Sequence, residues 1–198
     1  SSDLRGSAQQ GSAIHAGITA LAIADVTEVP PSLDGVVRQL SAGHFLEAEA
    51  ALQSHLARHA DDGHAWFLLG ACHHQRGNLP PALEALARAL QLEPDHQQAA
   101  LARVAILGQS GKLEDALVLT AEWLARHPDD AQMHYSAGLV SEMQGDLAEA
   151  LGRYDRALAL DPSMGPALQN RGNVLTRLGR VDEAVQNNRR LVGAFPQA

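Results

Sequence analysis

Polar and apolar positions along this chain fall into blocks whose internal spacing is helical. In "LAEALGRYDRALAL", Leu147 to Leu160, apolar residues recur at steps of three and four, the stripe of an amphipathic helix. "HAWFLLGACHHQR", His64 to Arg76, is a second kind of run with the same helical length. The runs alternate, and the pair repeats. "RGNLPPALEALARALQLEPD", Arg76 to Asp95, returns almost unchanged as "QGDLAEALGRYDRALALDP", Gln144 to Pro162. Gly43, Gly77, Gly111, Gly145 and Gly179 step by 34 residues. So do Ala48, Ala82, Ala116, Ala150 and Ala184, and so do Pro94, Pro128, Pro162 and Pro196. Three residue types sharing one period predict a helical repeat.

Each unit has a physical logic. Asp95, Asp129, Asp130 and Ser163 follow the prolines, where a short polar side chain can accept the free N–H groups of a helix start. The glycine can take the positive φ that ends the first helix. The proline blocks continuation of the second. The expected unit is helix, tight turn, helix, tight turn, over 29–62, 63–96, 97–130, 131–164 and 165–198.

This pattern resembles the tetratricopeptide repeat (TPR). Unit 63–96 carries it with Trp66, Leu69, Gly70, Ala82, Leu86, Ala89 and Pro94, and unit 131–164 with Gly138, Ala150, Tyr154, Ala157 and Pro162. Unit 165–198 keeps Leu168, Gly172, Leu175, Ala184 and Pro196. Unit 97–130 departs from it, with Ala100 and Arg103 where bulk and Leu are expected. Unit 29–62 lacks the closing proline and has Ala60 there. The resemblance implies an all-α fold, a right-handed α-solenoid of antiparallel helix pairs, with the first helix of each unit on a concave wall that holds a peptide or a partner's helix.

Carried over by position, the wall takes His64, Phe67, Ala71, His74 and Gln75 from one unit, and Gln98, Leu101, Ala105, Gly108 and Gln109 from the next. The following unit supplies Gln132, Tyr135, Leu139, Glu142 and Met143, and the last supplies Pro166, Gln169, Asn173, Thr176 and Arg177, with Asn170 beside them. Phe67, Leu101, Tyr135, Leu139 and Met143 are the expected apolar anchors; the amides can pair with a peptide backbone. The alternative for Phe67, Leu101 and Tyr135 is packing between helices. A basic carboxylate clamp is not expected, because Phe67, Leu101, Tyr135 and Gln169 occupy the fifth positions.

Composition narrows the partner. The formal net charge is −8, and Lys112 is the only lysine beside fourteen arginines. That argues against nucleic acid and anionic membrane, both of which need a basic surface. No apolar run reaches membrane-spanning length, and a cytoplasmic location is expected. Cys72 stands alone, so no internal disulfide forms. His55 and His59 have metal-compatible spacing, but "LARHADD" recurs as "LARHPDD" 68 residues on, which marks His59 as a repeat position with His127 as its counterpart. His73 is assigned to packing, and His74 to the wall. Neither metal, cofactor nor catalytic group is expected, and the reading is non-enzymatic. The partner is protein or peptide.

Two further readings compete: the recognition arm of a larger sugar- or sulfate-transferring enzyme, and a purely structural solenoid. At the ends, residues 1–12 read as a flexible or vector-derived leader and 13–28 as an extra helix, with Pro30 and Pro31 between it and the first unit. Val185, Leu191 and Val192 predict an uncapped apolar face, hence a fragment of a longer protein or self-association.

Overall fold

The computed structural model describes residues 33–194. The expectations for 1–12, 13–28, Pro30, Pro31 and Pro196 lie outside them. Ten helices and no strand occur among the described residues, in two compact units that meet in sequence at Ser110 and Gly111. The first unit holds α1 (Asp34–Ser41), α2 (Phe45–Leu56), α3 (Gly63–Gln75), α4 (Leu79–Leu92) and α5 (Gln97–Gln109). The second holds α6 (Leu113–Arg126), α7 (Ala131–Gln144), α8 (Leu147–Leu160), α9 (Gly165–Arg177) and α10 (Val181–Ala194). α3, α5, α7 and α9 start 34 residues apart.

The turns follow the chemistry of the period. All five periodic glycines have positive φ, between 71° and 89°. At Gly145 the reason is visible. Its N–H and that of Asp146 bond back to the carbonyls of Glu142 and Ser141, and the left-handed residue closes α7. The helix starts are more selective than the sequence suggested. Asp62, Asp130 and Asp146 cap α3, α7 and α8, accepting from the N–H groups of Ala65, Met133 and Glu149 at 2.8, 2.9 and 3.0 Å. α5 is capped by His96, whose Nδ1 accepts from Ala99 at 3.3 Å, and not by Asp95. Asp129 instead pairs with Arg156, and Ser163 bonds Asp161. α9 has no side-chain cap; Pro166 in its first turn has no N–H to satisfy.

In the α3–α4 and α7–α8 pairs the helices cross where one residue has no side chain. A Cβ on Gly70 would lie 2.7 Å from Leu86 Cγ, and one on Gly138 would lie 2.6 Å from the Tyr154 ring. The periodic alanines Ala48, Ala82, Ala116 and Ala150 are fully buried. In the first unit Leu52, Leu68, Leu69, Cys72 and Leu86 form the core. In the second, Leu151 and Tyr154 of α8 pack with Val174 and Leu175 of α9, and Ala157 and Leu158 with Ala167 and Leu168. Each such leucine or valine contributes about 1.5–3 kcal/mol by leaving water.

Candidate partner-binding faces

In the first unit the predicted wall is the α3 and α5 face. Phe67 is only 2% exposed, so its ring is core and not an open anchor. It packs 4.6 Å from the His96 ring, on which His64 stacks at 5.8 Å. Burial pushes His96 down to about 4, and the neighbouring His64 adds to this. The cap to Ala99 also requires the neutral ring, since a protonated Nδ1 cannot accept. Burial lowers His64 as well, against the opposing pull of Glu93 and Asp62. His74, expected on the wall, is buried; its Nε2 donates to Gln109 Oε1 at 3.1 Å and ties α3 to α5. Two polar atoms on this face have no hydrogen-bond partner: His64 Nε2 and Gln109 Nε2. Ala71, Gln75, Gln98, Leu101 and Ala105 are half-buried along it, and Gly108 is buried.

In the second unit the face is formed by α7 and α9. Tyr135 is half-buried, and its hydroxyl accepts from Asn170 Nδ2 at 3.2 Å. Burial pushes its phenol up to about 12. Glu142, expected as an open charge, is buried. Its carboxylate accepts from Tyr154 OH at 3.0 Å and from Arg177 at 2.7 Å. Burial and the adjacent Glu142 charge hold the Tyr154 phenol far above its usual range. Glu142 and Arg177 are therefore a stitch between helices. What remains open is Gln132, Gln169, Asn173, Thr176 and Arg177, with Met143 41% exposed and Leu139 half-buried.

The other candidates have local roles. His55 Nε2 bonds Asp62 Oδ2 at 2.7 Å, steadying the α3 cap, and the His59 ring lies 4.7 Å from it. Burial raises the Asp62 carboxyl, but the Ala65 N–H and His55 outweigh it and the net shift is downward. Among the described residues no three His, Cys, Asp or Glu side chains converge on a metal position. The buried Cys72 thiol donates to the Phe45 carbonyl at 3.1 Å, and burial pushes it up to about 11, which makes it a poor nucleophile. The sequence did not point to a cavity of about 470 Å³ in the second unit, lined by Leu124, Pro128, His134, Glu149, Gly152, Arg153 and Arg156. No predicted wall residue reaches it. Its arginines are paired with Glu149 and Asp129. No described helix is long and apolar enough to cross a membrane.

A family model described as the cytochrome c-type biogenesis protein H TPR domain matches residues 37–167, and a tetratricopeptide repeat model matches 144–198. The chain belongs to the tetratricopeptide repeat family. It is 33% identical over 93 residues to a probable biofilm formation methyltransferase WspC of Pseudomonas putida, covering 47% of this chain and 22% of that protein. It is 32% identical over 97 residues to a peroxisomal targeting signal receptor of Yarrowia lipolytica, covering 48% and 16%. The chain thus spans under a quarter of either relative. Among solved structures, MamA 41-end from Desulfovibrio magneticus RS-1 matches with a TM-score of 0.73 at 21% identity, over 82% of this chain and 92% of that one. At that identity the likeness shows the fold, an all-α helical-repeat solenoid.

Proposed function

We propose that this TPR chain is a non-enzymatic interaction module whose first-helix faces hold a peptide or partner helix. The observation that carries the reading is the set of open amides on α7 and α9, Gln132, Gln169 and Asn173, beside the exposed Met143. Amide side chains of this kind can pair with a peptide backbone. Met143 adds adaptable apolar contact. The targeting-signal receptor among the relatives supports it by name.

Selection of a displayed random-peptide library on the chain tests the reading. Selected peptides should lose at least about tenfold in affinity for Asn173→Arg and Met143→Arg, both exposed and compatible with folding, about 1.4 kcal/mol. Peptides that bind these variants and His64→Ala as well as the parent remove the groove. A second reading, the recognition arm of a larger enzyme, is favoured by the methyltransferase relative, of which this chain spans only 22%.

A further inference from the structure

α10 carries a stripe that the rest of its unit would bury. Val181, Val185 and Val192 step by four and seven and lie on one side, while Ala184 and Asn187 face the interior and Asn188 Oδ1 reaches toward Gly172 of α9. The 34-residue period gives each a counterpart one repeat earlier. Leu151 and Leu158 of α8 are 5% exposed because α9 covers them; Val185 and Val192, at the same positions, are 45% and 66% exposed. The α10 stripe therefore continues the interface that stacks one repeat on the next, and its fitting occupant is a helix with a matching aliphatic side.

We propose that this occupant is α10 of a second copy of the chain, lying antiparallel to the first. The argument for a copy is charge. Asp182 and Arg189 border the stripe on one side, seven residues apart, so they stand at the same heptad position. Antiparallel pairing centred between them sets each Asp182 against the other copy's Arg189; parallel pairing in register sets like against like. Neither residue has an ion-pair partner among the described residues. The same centring brings Val181 within two residues of the other copy's Val192, so the apolar stripes meet. A 14-residue helix is about 21 Å long. Two of them side by side bury less than the ~1,600 Å² of a standard interface, which sets the expected dissociation constant at about 10–100 µM.

Sedimentation of the full chain across ~2 to ~300 µM tests this. The mass should rise toward two chains. Val185→Asp with Val192→Asp should abolish the rise and leave the far-ultraviolet circular dichroism unchanged, because both sites are exposed. Asp182→Arg or Arg189→Asp alone should weaken association about three- to tenfold. The two together should restore it to within about twofold, since the contact re-forms with its signs reversed. Failure of that rescue, or a dimer indifferent to the paired Asp substitutions, overturns the proposal. So does a chain that stays monomeric at ~300 µM while one designed helix appended after residue 198 raises its melting temperature, for then the face belongs to stacking within a chain. Peptide binding by the first-helix faces is untouched by every one of these results.

Discussion

Shift the first unit by 68 residues and its α3–α5 arrangement falls on α7–α9 of the second. The backbone devices coincide: Gly70 with Gly138 at the crossing, Asp62 with Asp130 at the cap. The side chains that hold the helices do not. Leu86 becomes Tyr154, Phe67 becomes Tyr135, and the neutral His74–Gln109 bond becomes the ionic Glu142–Arg177 bond. The cap is steadied by an imidazole in the first unit, where His55 bonds Asp62 at 2.7 Å. In the second it is steadied by an indole, where Trp123 Nε1 bonds Asp130 at 2.7 Å. α5 starts on the histidine cap His96, and α9, at the equivalent Met164, has none. One geometry is thus met by two chemistries. The first unit's version is neutral and sensitive to acid; the second's is charged and sensitive to salt.

The comparison breaks most sharply at Tyr154. Tyr154→Ala should cost about 3–5 kcal/mol in urea unfolding, because it empties a fully buried site. Tyr154→Leu, which copies Leu86, should cost about 1–2 kcal/mol, since it keeps most of the volume and removes one donor from the Glu142 carboxylate. Equal losses for the two would mean that the hydroxyl, not the packing, carries the site.

Transplanting the stitch comes next. Arg177→Gln alone should cost about 1–2 kcal/mol by leaving a buried carboxylate without its cation. Adding Glu142→His, which reproduces the first unit's pair, should recover at least half of that in a double-mutant cycle. Purely additive losses would show that the two stitches are not interchangeable.

Acid separates the units. His96 is held at about 4 when folded and sits near 6.5 when unfolded. Between those values the unfolded chain binds more protons, so its stabilising contribution is complete above about 6.5 and is lost as pH falls toward 4. Discounted for the partial exposure of the ring, the loss is about 1–2 kcal/mol. Asp62, with its carboxyl held below the usual range, adds a further loss as the pH falls through the carboxylate range. Hydrogen exchange should show α5 amides losing protection before α9 amides, and His96→Asn should remove the difference above pH 5. Loss of protection in the two helices together would assign the effect to another group.

Salt gives the smallest effect. Raising ionic strength from about 0.05 to 1 M should weaken α7–α9 protection by a few tenths of a kcal/mol and leave α3–α5 unchanged, because Arg177 is half-exposed.

The helices and their turns were legible because they rest on local rules. A glycine that must take positive φ, a proline that must end a helix and an apolar step of three or four are properties of neighbours in the chain. Where two local signals competed, the sequence left the outcome open. Asp95 and His96 both precede α5, and Asp129 and Asp130 both precede α7; the residue immediately before the first helical turn won each time. The wall positions were legible as a helix face, but not in their exposure. Phe67 and Tyr135 occupy the same repeat position, yet one is core and the other half-open: the His96 ring packs at a tilt against the first, and Asn170 reaches the second. Glu142 read as an open charge because nothing within its own helix shows that Tyr154 and Arg177 converge on it from two other helices.

Spacing along the chain determined that this protein is a tandem array of helix pairs, since turn geometry and amphipathic period depend only on residues a few positions apart. Which polar side chains are spent in holding helices together, and which stay open for a partner, was decided by contacts between residues 35 positions apart: His74 with Gln109, Tyr135 with Asn170, Glu142 with Arg177. Those pairings exist only once the helices pack, because burial alone makes an unpaired charge or amide costly enough to choose its neighbour.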